Sequence, residues 1–152
     1  MNIDDFKGLM DAFDPASLLP ELDTVMDKIV PVARAAVMIG PLLLLLMGLL
    51  YLFAAPKEAN YRFGYRCYYG MGSVEAWQFT QRLAGIVLGA LGLVLGLVML
   101  LISGSFAKME TMDLLWRAVY CLLSQLIAVA VACVSINTVA AVRFDKRGDL
   151  RK

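Results

Sequence analysis

The sequence predicts an all-α integral membrane bundle: three transmembrane helices preceded by one or two N-terminal amphipathic surface helices, all in one domain over residues 1–152. Three observations carry this expectation. Apolar runs at about 32–55, 83–102 and 118–142 each reach the roughly 20 residues that a helix needs to cross a hydrocarbon core. None of the runs contains Asp, Glu or Lys. The overall composition, 61% hydrophobic and only 18% charged, lies far from that of a soluble domain, whose helices keep a polar face.

The first thirty residues read as an external amphipathic segment. Ile3, Phe6, Met10 and Phe13 recur at helical spacing. Asp14-Pro15 reads as an N-cap followed by proline at the first helical position. Leu18, Leu22, Val25, Met26 and Ile29 then form a second apolar stripe. The polar face is acidic where a lipid-binding helix is usually basic, which leaves two readings: a helix packed over the bundle mouth, or a partner-binding arm. No basic n-region precedes the first apolar run, so no cleavable signal peptide is expected.

In span one, Arg34 lies where a long side chain can snorkel to the headgroups. Pro41 either kinks the helix near Met38 to Pro41 or marks the true start of the regular helix. Leu42 to Leu46 is expected to face lipid. In span two, Gly85, Gly89, Gly92 and Gly96 fall on one helical face, a pattern that lets backbones approach closely inside lipid. Span three offers small residues at Ser124, Ala128, Ala132 and Ser135. Pairing of spans two and three is therefore expected, with a homodimer across the same seam as the alternative. Gln125, Asn137 and Thr138 are polar groups within span three, expected to act as interhelical hydrogen-bonding glue.

Charge sets the orientation. Residues 1–30 hold seven acids and two bases; Lys57, Arg62, Arg66 and Arg82 lie between spans one and two, and Arg143, Lys146, Arg147, Arg151 and Lys152 form the tail. Basic residues stay cytoplasmic, so the expected topology is N-terminus outside, segment 56–82 and C-terminus inside.

The same segment, 56–82, carries the candidate site. Tyr61, Tyr65, Tyr68, Tyr69 and Trp77 cluster with Arg62 and Arg66, side chains that suit the headgroup layer and bind phosphate or carboxylate. Gly64, Gly70 and Gly72 permit tight turns. Ser73, with Glu75 in the next turn, reads as the N-cap of a helix running into span two. Trp77 is expected to cover or stack on Arg66. Two readings stay open: an interfacial belt that sets the depth of the bundle, and a basic, aromatic-rich pocket mouth.

Several function classes lose support. There is no histidine, which removes the commonest general base and metal ligand. Cys67, Cys121 and Cys133 form no C-x-x-C pair and read as small apolar residues. No intramembrane carboxylate is present to couple transport to an ion. Glu58, Ser73, Cys67 and Glu75 are the possible catalytic groups, without diagnostic spacing. Neither a catalytic residue, a metal site nor a cofactor is therefore expected, and no nucleic-acid binding.

The string Asn60-x-x-Phe63-Gly64-Tyr65-Arg66, then Ser73-x-Glu75-x-Trp77-x-Phe79, then Arg82-x-Ala84-Gly85 resembles the hallmark segment of the SdpI/YfhL family of bacterial membrane proteins. Arg66 and Trp77 match its most characteristic positions; Cys67-Tyr68 stands where Thr-Pro is usual, and Gln81 near where Asn is usual. The resemblance implies a multi-pass protein of the bacterial cytoplasmic membrane, of the bacteriocin-immunity type, whose partner is a peptide toxin or a cytoplasmic regulator. The binding surface it implies comprises Asn60, Arg62, Gly64, Tyr65, Arg66, Ser73, Glu75, Trp77 and Arg82. The alternatives are a protein that binds or modifies lipid headgroups, and a small structural subunit that docks into a larger membrane complex through its glycine seam.

Overall fold

A computed structural model describes residues 19–59 and 62–151, with side chains from Lys28 onward. Three long helices fill it: α1 Leu19–Phe53, α2 Val74–Ser103 and α3 Thr111–Arg143, with short 3-10 turns at Tyr69–Met71 and Phe106–Lys108. All three contain segments long and apolar enough to cross a membrane. No strand forms among the described residues. Their outward faces are lined by leucine, isoleucine and valine, as lipid contact requires.

The surface segment and span one do not separate as expected. Residues 19–30 are helical, but they run without a break into the span, through Pro31 and Pro41. The reading in which the regular helix starts at Pro41 is thereby overturned. The first stripe, Ile3 to Phe13, and the Asp14-Pro15 cap lie outside the described residues.

Pro41 is tolerated inside α1 for a specific reason. Proline has no N–H to give the carbonyl four residues back, which here is Val37. An orphaned carbonyl within hydrocarbon costs several kcal/mol, on the order of other unsatisfied polar groups there. Gln125 of α3, nearly fully buried, donates its Nε2 to that carbonyl at 2.9 Å. Gly40 makes the approach possible, since a Cβ there would collide with Gln125 Oε1. The expected role of Gln125 as interhelical glue holds, and its target is the vacancy that proline creates. Thr138 instead satisfies itself on Val134 O at 2.8 Å.

The glycine row of α2 meets α1, not α3, which corrects the expected pairing. A Cβ at Gly92 would lie 2.5 Å from Leu45 N and 2.8 Å from Pro41 O. One at Gly85 would lie 2.6 Å from Leu52 Cγ, and one at Gly48 of α1 would strike the Gly89 backbone. Gly89 and Gly96 are looser, with their nearest cross-helix atoms at 3.7 Å. Between α2 and α3, by contrast, an apolar groove of about 610 Å³ opens along Ala128, Val131 and Ala132. The small residues of α3 therefore border a space where a second backbone was expected.

Two apolar cores lie at the two ends of the bundle. One gathers Val37, Met99, Phe106, Leu114 and Cys121; the other gathers Tyr51, Ala84, Leu88, Ala132 and Ile136. At the first, Arg34 Nε donates to Ser103 O at 3.0 Å. It caps the C-terminal end of α2, where orphan carbonyls and the helix dipole favour a cation, rather than reaching for headgroups.

Candidate functional site

The second core supports a polar platform made from segments 54–59 and 62–73, the first turns of α2 and the C-terminal tail. Ser73 caps α2 as expected: its Oγ accepts from Ala76 N at 3.1 Å. The same hydroxyl donates to Gly148 O at 2.8 Å. One side chain thus starts the helix and pins the tail.

Gln81, buried at 2% exposure, is the clamp of the loop. Its Oε1 accepts from Tyr65 N at 2.8 Å and its Nε2 donates to Tyr65 O at 2.7 Å. A primary amide carries both a donor and an acceptor and so can pair with the N–H and the C=O of one residue, fixing the loop backbone as a sheet ladder would. The Tyr65 phenol reaches α3, with Asn137 Oδ1 at 3.2 Å and Cys133 O at 3.3 Å. Burial, first of all, raises its pKa above the ordinary 10.0, so the hydroxyl remains a donor.

Trp77 is not where the sequence places it. It is fully buried, and its Nε1 donates to Pro56 O at 2.8 Å. Gly64 lies directly over the indole: φ is +122° and a Cβ would sit 2.6 Å from the ring. Both the backbone angle and the missing space restrict this position to glycine. Trp77 therefore anchors the loop from beneath, and the cation–π contacts found at this end use other residues. Arg143 lies 4.4 Å from the Phe79 ring and Arg151 5.8 Å from the Tyr69 ring.

The tail is an ordered part of the site. Residues 144–150 fold back in a tight turn, closed by Gly148 N donating to Asp145 O at 3.1 Å and by an antiparallel bridge between Phe144 and Leu150. Asp145 Oδ1 accepts from Arg147 N at 2.8 Å and Asp149 N at 2.9 Å. The Asp149 N–H, chiefly, holds that carboxyl below its usual range, against some desolvation and with help from the Arg147 N–H. Gly148, at φ +82°, touches the Gly72 and Ser73 backbone so closely that no Cβ fits. Phe144, buried, packs on Phe79 with ring centroids 5.5 Å apart.

The expected site residues thus divide. Gly64, Tyr65, Ser73 and Trp77 build and brace the platform. Arg62, Arg66, Glu75 and Arg82 are exposed on it. Asn60 lies outside the described residues. Arg82 lines a cavity of about 390 Å³ with Lys57 and Gln78, two residues that were not expected there. Gln81 and the tail turn were missed as well. The first had a signal in its spacing of four from Trp77, which puts both on one helical face, and the second in its Asp-x-x-Gly turn pattern.

The family profile of the SdpI/YfhL protein family matches residues 57–137, from the start of the clamped loop through most of α3. No match was found among curated proteins or among solved structures. The matched stretch is 81 of the 152 residues (137 − 57 + 1) and contains Gln81, Tyr65, Ser73 and Trp77, the residues that hold the platform together; the chain belongs to the SdpI/YfhL family.

Proposed function

We propose that this is a non-enzymatic membrane protein of the SdpI type, acting in bacterial peptide-toxin immunity, in membrane signalling, or in both, with the loop platform as its contact surface. The observation that carries the reading is the contrast between two adjacent residues. Tyr65 is held by its N–H, its C=O and its phenol, while Arg66 beside it is exposed. A guanidinium on a fixed backbone loses little entropy on meeting a carboxylate or phosphate. The reactive groups nearby serve the fold: the Ser73 hydroxyl donates to Gly148 O, and Cys67 Sγ accepts from Gly70 N at 3.2 Å.

The platform faces the cytoplasm in this reading. The Ser73–Gly148 bond puts loop and tail at one end of the bundle, so their cations lie together, and clustered cations stay on the inner side. The partner read there is a cytoplasmic regulator; toxin protection is the response of the whole bundle.

The test is Arg66→Lys, expressed in sensitive bacterial cells challenged with secreted peptide toxins. Lys keeps the charge and loses the planar fork. Survival should fall while the melting temperature in detergent stays unchanged. Equal survival would sink the reading, and a parallel loss of stability would make Arg66 a structural residue. Orientation is checked by Glu58→Cys in a background free of the three native cysteines: labelling by an impermeant thiol reagent in intact cells would reverse the topology.

A further inference from the structure

The cavity beside the loop has a composition that a contact through Arg66 does not use. It holds about 390 Å³ and is bounded by Leu52 and Ala55 on the α1 side, by Lys57 in the loop, and by Gln78 and Arg82 on α2. That volume falls within the roughly 300–1,000 Å³ of small-ligand sites. Its rim is cationic: Lys57 and Arg82 are both exposed, and no carboxylate among the described residues pairs with either. Gln78 Nε2 donates to Lys57 O at 3.2 Å, which ties the two sides of the rim together.

The other wall is apolar and continues along α1. Leu52, which lines the cavity, is 37% exposed, and Leu49, one turn deeper in the span, is 46% exposed. Both lie at the end of a helix that is long and apolar enough to cross the bilayer. A ligand here would meet two cations at its head and a lipid-facing surface at its tail. Free phosphate satisfies only the first condition and a neutral lipid only the second.

We infer that the cleft between the end of α1 and the start of α2 is a binding site for the phosphate of an anionic phospholipid, held by Lys57 and Arg82, with an acyl chain running inward along Leu52 and Leu49. Arg82 supplies a planar fork for two phosphate oxygens, and Lys57 a mobile point charge. Basic pockets between transmembrane helices at the headgroup level are where such recognition occurs. The inference does not depend on what Arg66 binds, because Arg66 does not line this cleft.

The test uses the full chain in neutral detergent, with the double variant Lys57→Gln/Arg82→Gln. A second double variant, Lys146→Gln/Arg147→Gln, removes equal charge from the exposed tail turn at the same end. Melting is followed with phosphatidylcholine, with phosphatidylglycerol, and with inorganic phosphate at matched concentration. The wild type and the tail variant should melt several degrees higher with phosphatidylglycerol only, and native mass spectrometry should retain a phospholipid adduct. The cleft variant should melt as the wild type does in phosphatidylcholine and lose both the shift and the adduct. An equal shift in the cleft variant would overturn the site, as would no shift in the wild type. A shift produced by inorganic phosphate alone would overturn the lipid as its source.

Discussion

The two ends of the bundle are closed by different physics. At the loop end, short directional bonds hold irregular backbone in place: Gln81 to Tyr65, Trp77 to Pro56, Ser73 to Gly148. At the opposite end, Phe106 is fully buried among Val37, Met99 and Leu114, and Arg34 adds one bond to Ser103 O. Trp116 and Tyr120 stand exposed and stacked there, ring centroids 6.1 Å apart, as interfacial aromatics do. An apolar plug tolerates any orientation that fills the space. A hydrogen-bonded clamp tolerates one. The clamped end is therefore the one that can present Arg66 and the Lys57–Arg82 rim in a fixed geometry.

The largest expected effect breaks the plugged end. Phe106→Ala should cost about 3–5 kcal/mol, as deletion of a buried ring does elsewhere, and should leave Arg66-dependent survival intact wherever the protein still accumulates. If melting in detergent is unchanged, the plug is not a core. Next comes the seam that joins both ends. Gly92→Ala should destabilise by about 1–3 kcal/mol through overpacking, because Leu45 N leaves its Cβ no room. Gly96→Ala, where the nearest atom is at 3.7 Å, should be neutral; similar melting of the two would show that the α1–α2 contact is misplaced.

Gln81→Leu sharpens the contrast itself. It removes two hydrogen bonds worth about 1 kcal/mol each, and the loss should appear as faster amide exchange confined to the loop, with the Phe106 end unaffected. Uniform loosening would deny that the ends are independent. The smallest effect is set by pH. The native pKa of Asp145 is lowered, so its contribution is complete above the unfolded value, near 3.8, and disappears as pH falls through the lower native one. The NMR signals of the Arg147 and Asp149 amides should titrate in that acid range in the wild type. In Asp145→Asn they should not move.

The spans, the Ser73 cap and the start of α2 were legible because each rests on local chemistry: run length, a side-chain oxygen, a following acid. The glycine row announced a close backbone contact, but small residues do not name their partner. What decides for α1 is Gly48 and Pro41 on the facing helix, residues separated from Gly92 by forty or more positions. Trp77 misled for a similar reason. Its type suits an interface and a cation equally well, and only the three-dimensional placement of Gly64 and Pro56 turns it inward. The tail read as a run of cations because its ordering depends on Gly72 and Ser73, more than seventy residues away.

Pro41 has a consequence for the order in which the molecule can be completed. The first two helices close on each other through the glycine seam, yet that hairpin leaves the Val37 carbonyl without its helical donor. Among the described residues, Gln125, delivered by the third helix, supplies one. A chain released from synthesis before Gln125 carries a built-in mark of incompleteness within the bilayer, and arrival of the last span erases it. Because a single amide must find a single carbonyl, the same defect also sets how far the last helix slides along the first.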